Sequence, residues 1–186
     1  MRLTKYIFTA LILIAFSAKA QESSIKWMTI EEALSASEKY PKKIIIDIYT
    51  DWCGWCKVMD KNTFGNPEVA NYINENYYAV KLNAEKQRSF TYKGNVYNLE
   101  TTNGRSINTF VLAISNGNIG YPTTAYLDES QNVLTLLSGY QKPEQLLPIL
   151  KYLNADLFKT MSFEEFMKQE QAKDTSSQAK PAPQTL

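Results

Sequence analysis

The 186-residue chain contains no histidine and only two cysteines. Without imidazole there is no Cys-His pair, which excludes the usual cysteine-protease arrangement. Structural zinc usually takes four Cys or His ligands, so two cysteines fall short unless carboxylates or a second chain contribute. Nothing in the sequence calls for a metal or another cofactor. No basic run or stripe occurs, which argues against a nucleic-acid partner. After the first twenty residues no segment is apolar enough to cross a membrane, which takes roughly 20 apolar residues.

The apolar stretch that does occur lies at the start. Arg2 and Lys5 precede an apolar run over residues 7–16, and Ser17-Ala18-Lys19-Ala20 places small residues before Gln21. This is the layout of a secretory signal peptide spanning residues 1–20, with a retained anchor as the alternative. Removing those residues takes away Arg2, Lys5 and Lys19, so the formal charge moves from +1 to −2 (17 basic against 19 acidic). The remaining 166 residues suffice for one domain with its own core.

Both cysteines lie in Trp52-Cys53-Gly54-Trp55-Cys56-Lys57. Exported chains meet an oxidising environment in which disulfides persist, and those that use them as staples usually carry several. A bridge across two residues constrains little unfolded-chain entropy, because that gain grows with loop length. Such a pair suits electron exchange better than stapling.

Local signals place the elements around it. Thr29-Ile30-Glu31-Glu32 is a capping box opening a helix that stops before Pro41. Residues 43–50 read as a strand, and its near-continuous run of isoleucine predicts burial on both faces. A helix begins in the cysteine segment, and a second at Asn66-Pro67-Glu68. Residues 78–82 form the next strand. Phe90-Thr91-Tyr92 and Val96-Tyr97, joined through Lys93-Gly94-Asn95, suggest a small hairpin. Ile107, Phe110, Val111 and Ile114 follow helical spacing. Strands at 123–127 and 133–137 form an antiparallel pair, followed by a helix at 143–154. Strands alternating with helices give an α/β fold, a mixed central sheet with helices on both faces. The domain spans residues 21–160 with an insertion at about 85–105. A short helix at 161–171 and a disordered tail at 172–186 complete the chain.

Thiol–disulfide exchange proceeds through a thiolate. Cys53 sits at the first turn of a helix, where unpaired N–H groups and the helix dipole favour negative charge. Cys56, three residues on, shares its helix face. Cys53 is therefore the nucleophile and Cys56 the resolving thiol. Gly54 keeps the approach open, and Lys57 is either a source of positive potential or a solvated surface lysine. Trp55 in the turn and Trp52 beside it offer apolar area for a protein substrate, with core packing as the alternative for Trp52. Asp47 interrupts an apolar strand, where a charge is costly. It is either a buried acid-base group beneath the dithiol, with its pKa raised by burial, or an edge carboxylate in water. Lys81 is its candidate partner, or points outward. Tyr121-Pro122 opens a strand, a position where proline is tolerated.

The run from Asp47 to Lys57, followed by residues 78–83 and Gly120-Tyr121-Pro122-Thr123-Thr124, resembles the thioredoxin superfamily in order and spacing. With Thr63-Phe64 and Asn66-Pro67-Glu68-Val69, it is most similar to the exported branch that includes the C-terminal periplasmic domain of DsbD. The likeness covers about residues 27–154. It implies a thioredoxin-like fold, a redox disulfide between Cys53 and Cys56, a surface-exposed Cys53 over a buried Cys56, and Asp47 as buried acid-base group near Lys81. It also implies a cis peptide before Pro122, with the Tyr121 backbone pairing to an extended substrate. Three features depart from that pattern: Gly-Trp between the cysteines, the bulky Tyr121, and the long stretch 85–105, which is either a docking element or a decoration.

These features imply a monomeric, exported thiol-disulfide oxidoreductase of a Gram-negative periplasm. It would reduce protein disulfides and draw electrons from a membrane donor of the DsbD type, without itself inserting in the membrane. The alternatives are an oxidase or isomerase on the same scaffold, or a redox-inactive binding module.

Overall fold

The computed structural model describes residues 24–178, with side chains through residue 173. The signal-peptide reading of residues 1–20 and the end of the tail lie outside the described residues. A five-stranded sheet runs through the domain in the order β1 (Trp27–Met28), β3 (Tyr77–Asn83), β2 (Lys43–Tyr49), β8 (Thr123–Leu127), β9 (Val133–Ser138). β1 and β2 both run parallel to β3, whereas β8 is antiparallel to β2 and to β9. This is the mixed α/β sheet expected, with helices on both faces.

Alternation along β2 divides the core. Ile44, Ile46 and Ile48 face one layer with α1 (Ile30–Lys39) and α4 (Thr109–Ile114), which contribute Ile30, Leu34, Phe110 and Val111. Ile45 faces the other, with Met59 of α2 (Gly54–Met59), Val69 and Ile73 of α3 (Pro67–Asn76), and Leu146 and Leu150 of α5 (Pro143–Asn154). Asp47 falls on this second face. Because β2 is central, its apolar side chains lose contact with water on both sides, the arrangement a continuous isoleucine run requires.

The caps form as the sequence predicts. Glu32 N–H donates to Thr29 Oγ1 at 3.2 Å, and Thr29 N–H donates to Glu32 Oε2 at 2.8 Å. Asn66 Oδ1 accepts from Glu68 and Val69 at 3.0 and 3.2 Å, ahead of Pro67. These bonds satisfy amides that a helix start leaves unpaired.

The inserted region holds two hairpins. β4 (Phe90–Tyr92) pairs with β5 (Asn95–Tyr97), as expected. β6 (Leu99–Thr102) pairs with β7 (Arg105–Asn108), which the sequence reading missed. Ile107 therefore lies in a strand rather than in the helix its spacing suggested, and α4 starts at Thr109. Asn103 and Gly104 both adopt positive φ, 54° and 75°, the backbone a two-residue hairpin turn needs. Phe90, Tyr92 and Tyr97 ring Phe110 with centroids 5.2–5.4 Å away, so the insertion is fastened to the core. Asn108 is buried, accepts Phe110 N–H at 2.9 Å and donates to Gln87 O at 3.1 Å, which ties β7 to the domain. The final helix, α6 (Phe163–Gln178), continues past residue 171, where the sequence reading ended it. Its Glu, Lys, Gln and Ala content favours helix.

Candidate active site

β2 delivers the chain to a short loop at residues 50–53, and α2 begins immediately after it. Cys53 caps that helix. Its Sγ accepts the Cys56 N–H at 3.0 Å, and its own N–H donates to Thr50 O at 3.2 Å. Cys53 and Cys56 are joined in a disulfide. They are 4% and 3% exposed, so exposure does not separate a surface thiol from a buried one. What separates them is position: Cys53 Sγ faces a helix-start amide, as an anion at that end of a helix would. A Cβ added at Gly54 would meet nothing within 4 Å, so the turn is open there.

Asp47 lies on the sheet face against which α2 packs through Met59; it is 2% exposed on the central strand, so the edge alternative does not apply. β3 places Lys81 directly opposite it, and Lys81 Nζ stands 3.1 Å from Asp47 Oδ2. Lys81 also pairs with Asp60, in the turn of π-helix at Asp60–Phe64 that continues α2. The Asp60 N–H donates to Cys56 O, which joins this charge chain to the dithiol helix. Trp27 and Tyr49 present their rings to Lys81 Nζ at 5.0 and 5.1 Å. Burial pulls the Lys81 ammonium down, but Asp47 and Asp60 outweigh it and hold it above its ordinary value. For Asp47 burial wins over the Lys81 charge and pushes the carboxyl up to about 6. Its Oδ1 has no hydrogen-bond partner among the described residues. A carboxyl with a free oxygen and a pKa near neutrality is suited to exchange protons.

Aromatic side chains rim the dithiol. Trp52 is 67% exposed, which removes the core-packing alternative, and Trp55 is 63% exposed. Trp52 Nε1–H donates to both Glu85 carboxylate oxygens at 3.0 Å, and its ring meets Tyr121 edge-on at 5.8 Å. Trp55 leans on Tyr140 at 5.5 Å. The Tyr121–Pro122 peptide is cis. Lys57 is exposed and lies in α2. Beside Trp52 runs a groove of about 1030 Å³, lined by Glu85, Arg105, Ile107, Gly120 and Tyr121 among others.

The structure thus gathers Asp47 with Lys81, and Trp52 with Tyr121, while Cys53 and Cys56 close on each other. The sequence reading missed Asp60, Glu85, Tyr140 and Arg105. Asp60 carried one usable signal, an acid one helical turn past Cys56. The others meet the site only through the fold. Among the described residues, no group of three or more His, Cys, Asp and Glu gathers in metal-binding geometry, and no helix is long and apolar enough to cross a membrane.

A family model described as Thioredox_DsbH, protein of unknown function, DUF255, matches residues 14–177. The thiol:disulfide interchange protein DsbD of Pectobacterium atrosepticum is 35% identical over 75 residues, 39% of this chain and 13% of that protein. A solution structure from Bacteroides thetaiotaomicron, described as a candidate disulphide-isomerase, is 27% identical, with TM-score 0.50. The match covers 73% of this chain and 97% of that one. A DsbH oxidoreductase structure shares the fold at 16% identity and TM-score 0.50, over 69% of this chain and 83% of its own. The likeness to DsbD therefore spans a small part of that longer protein.

Proposed function

The chain belongs to the Thioredox_DsbH (DUF255) family, and from that premise we propose that it is an exported thiol-disulfide oxidoreductase that reduces protein disulfides. One observation carries the reading. The Cys53–Cys56 disulfide closes at the start of α2, with the Cys56 amide on Cys53 Sγ, over the sheet face that holds Asp47.

In the reduced protein the Cys53 thiolate attacks one sulfur of a substrate disulfide. That S–S bond breaks, and the other substrate sulfur leaves as a thiolate. Cys56 gives its proton to Asp47, and its thiolate attacks Cys53 Sγ. The mixed disulfide breaks, the Cys53–Cys56 bond forms, and the second substrate sulfur leaves as a thiolate that takes up a proton. Two electrons have passed to the substrate, and a donor dithiol restores the pair by the same exchange. The DsbD relatives and the apolar N-terminal stretch support an exported location, with the periplasm as the compartment and a membrane protein of DsbD type as the donor. Tyr121 supplies backbone beside the dithiol for an extended substrate, and Trp52 and Trp55 supply apolar area.

The Bacteroides relative favours a second reading, an isomerase on the same dithiol. Insulin-disulfide reduction tests the first. Cys53→Ser abolishes it, and Cys56→Ser accumulates a mixed disulfide with insulin. Unchanged turnover by Cys53→Ser would sink the enzyme reading. Reactivation of scrambled ribonuclease without net reduction would select the isomerase.

A further inference from the structure

The outer edge of β7 has no neighbouring strand among the described residues, and it borders the groove beside Trp52. In a two-residue hairpin the residues flanking the turn, here Thr102 and Arg105, exchange backbone hydrogen bonds, and the next pair does not. The N–H and C=O of Ser106 therefore point away from β6. Asn108, two residues on along the same edge, confirms the direction: its N–H donates to Ala84 O at 2.8 Å. Arg105, Ser106 and Ile107 line the groove together with Ile119, Gly120 and Tyr121. The Tyr121 N–H and C=O have no partner among the described residues. The outward backbone of Ser106 in β7 and the unpaired backbone of Tyr121, in the loop before β8, thus line one channel.

The charges along the channel are not equivalent. Glu85 is taken up by Trp52 through both oxygens, and Lys86 is paired with Asp51 at 2.5 Å. Arg105, exposed at the hairpin tip, has no acidic partner among the described residues. Its guanidinium presents a planar fork that matches a carboxylate.

We propose that the β6–β7 hairpin is a substrate-recognition arm: an extended protein segment lies between the Ser106 and Tyr121 backbones, and Arg105 takes a carboxylate side chain near that segment's half-cystine. The inference rests on the exchange reading above and names its substrate class. Residues 99–108 are then a docking element, and the site prefers oxidised proteins with Asp or Glu flanking the disulfide. Main-chain pairing supplies affinity and Arg105 supplies selection.

The test uses the full chain and disulfide-linked peptide pairs that differ only in Glu or Gln at positions within three residues of the cysteine. The wild type is expected to favour the best Glu peptide by about threefold to fivefold in kcat/KM, the scale of an exposed ion pair. Arg105→Gln brings the ratio to about one, and Arg105→Lys keeps part of it. Ser106→Ala loses only the 2.7 Å hydroxyl contact with Thr101 of β6 and serves as the control; Ser106→Pro also removes the outward N–H, keeps the backbone bonds to β6, and raises KM for both peptides relative to that control. A Glu-to-Gln ratio of one in the wild type, or a ratio unmoved by Arg105→Gln together with unchanged KM in Ser106→Pro, overturns the arm and leaves the exchange reading standing. Failure of the wild type to reduce either peptide or hydroxyethyl disulfide overturns both.

Discussion

The Cys56 amide hydrogen points at Cys53 Sγ across 3.0 Å, so the two sulfurs of one short bridge sit in different fields. When the bridge is reduced, Cys53 keeps a helix-start donor and Cys56 does not. Thiolate character follows such donors. In the reduced protein iodoacetamide is therefore expected to label Cys53 first, by about tenfold or more at pH 7. Peptide mapping after a short labelling pulse reads the order, and equal labelling would remove the distinction between nucleophile and resolver.

Asp47 gives a pH signature. Its carboxyl is raised from 3.8 to about 6 by burial, so the folded state holds the proton more tightly than the unfolded one. The stability this contributes is complete below about pH 4 and is lost as pH rises through 6. Asp47→Asn is thus expected to be more stable than wild type at pH 7 by up to about 3 kcal/mol, less whatever Lys81 loses. The gain disappears at pH 4, and urea unfolding at both pH values checks it. In catalysis the sign reverses: only the ionised carboxyl can take the Cys56 proton, so resolution of the mixed disulfide slows below about pH 6. Stopped-flow decay of a preformed mixed disulfide should lose this pH step in Asp47→Asn.

Trp52 is held by Glu85 on one side and Tyr121 on the other. Its exposed indole is apolar area that a protein substrate can bury, and truncating such an interface aromatic costs about 1 kcal/mol, so Trp52→Ala should raise KM for a protein substrate about threefold to tenfold. Glu85→Ala frees the indole and should give part of that effect, with a shift in Trp fluorescence that reports its release.

The end of the π-helical turn makes a steric demand. A Cβ on Gly65 would stand 2.4 Å from Lys61 O, a backbone atom that cannot swing aside. Gly65→Ala should cost about 1–3 kcal/mol, and each kcal/mol lowers Tm by about 2–4 °C in a domain of this size. Gly54→Ala, whose Cβ meets nothing within 4 Å, should be neutral or stabilising. Parallel thermal melts separate the two.

Much of this was legible where the cause is local. Thr29 and Asn66 announce their helices because capping depends on residues two or three apart. The isoleucine run of β2 announces a central strand, and a carboxylate inside it announces Asp47. The β6–β7 hairpin was missed although Asn103-Gly104 is a strong turn signal, because the helical spacing of Ile107 with Phe110, Val111 and Ile114 competed for the same residues. Phe110 and Val111 are buried in α4 as that spacing requires; Ile107 packs on the same core from a strand. Asp60 and Glu85 were illegible for a different reason. Their partners Lys81 and Trp52 lie 21 and 33 residues away, and only the parallel pairing of β2 and β3 brings those segments together.

The equilibrium reduction potential of the Cys53–Cys56 pair, measured against a glutathione or dithiothreitol series, tests the account most directly. A protein-disulfide reductase requires a value toward that of thioredoxin, about −270 mV, and this is the result expected. A value near about −120 mV, the range of a strong oxidase, would contradict it.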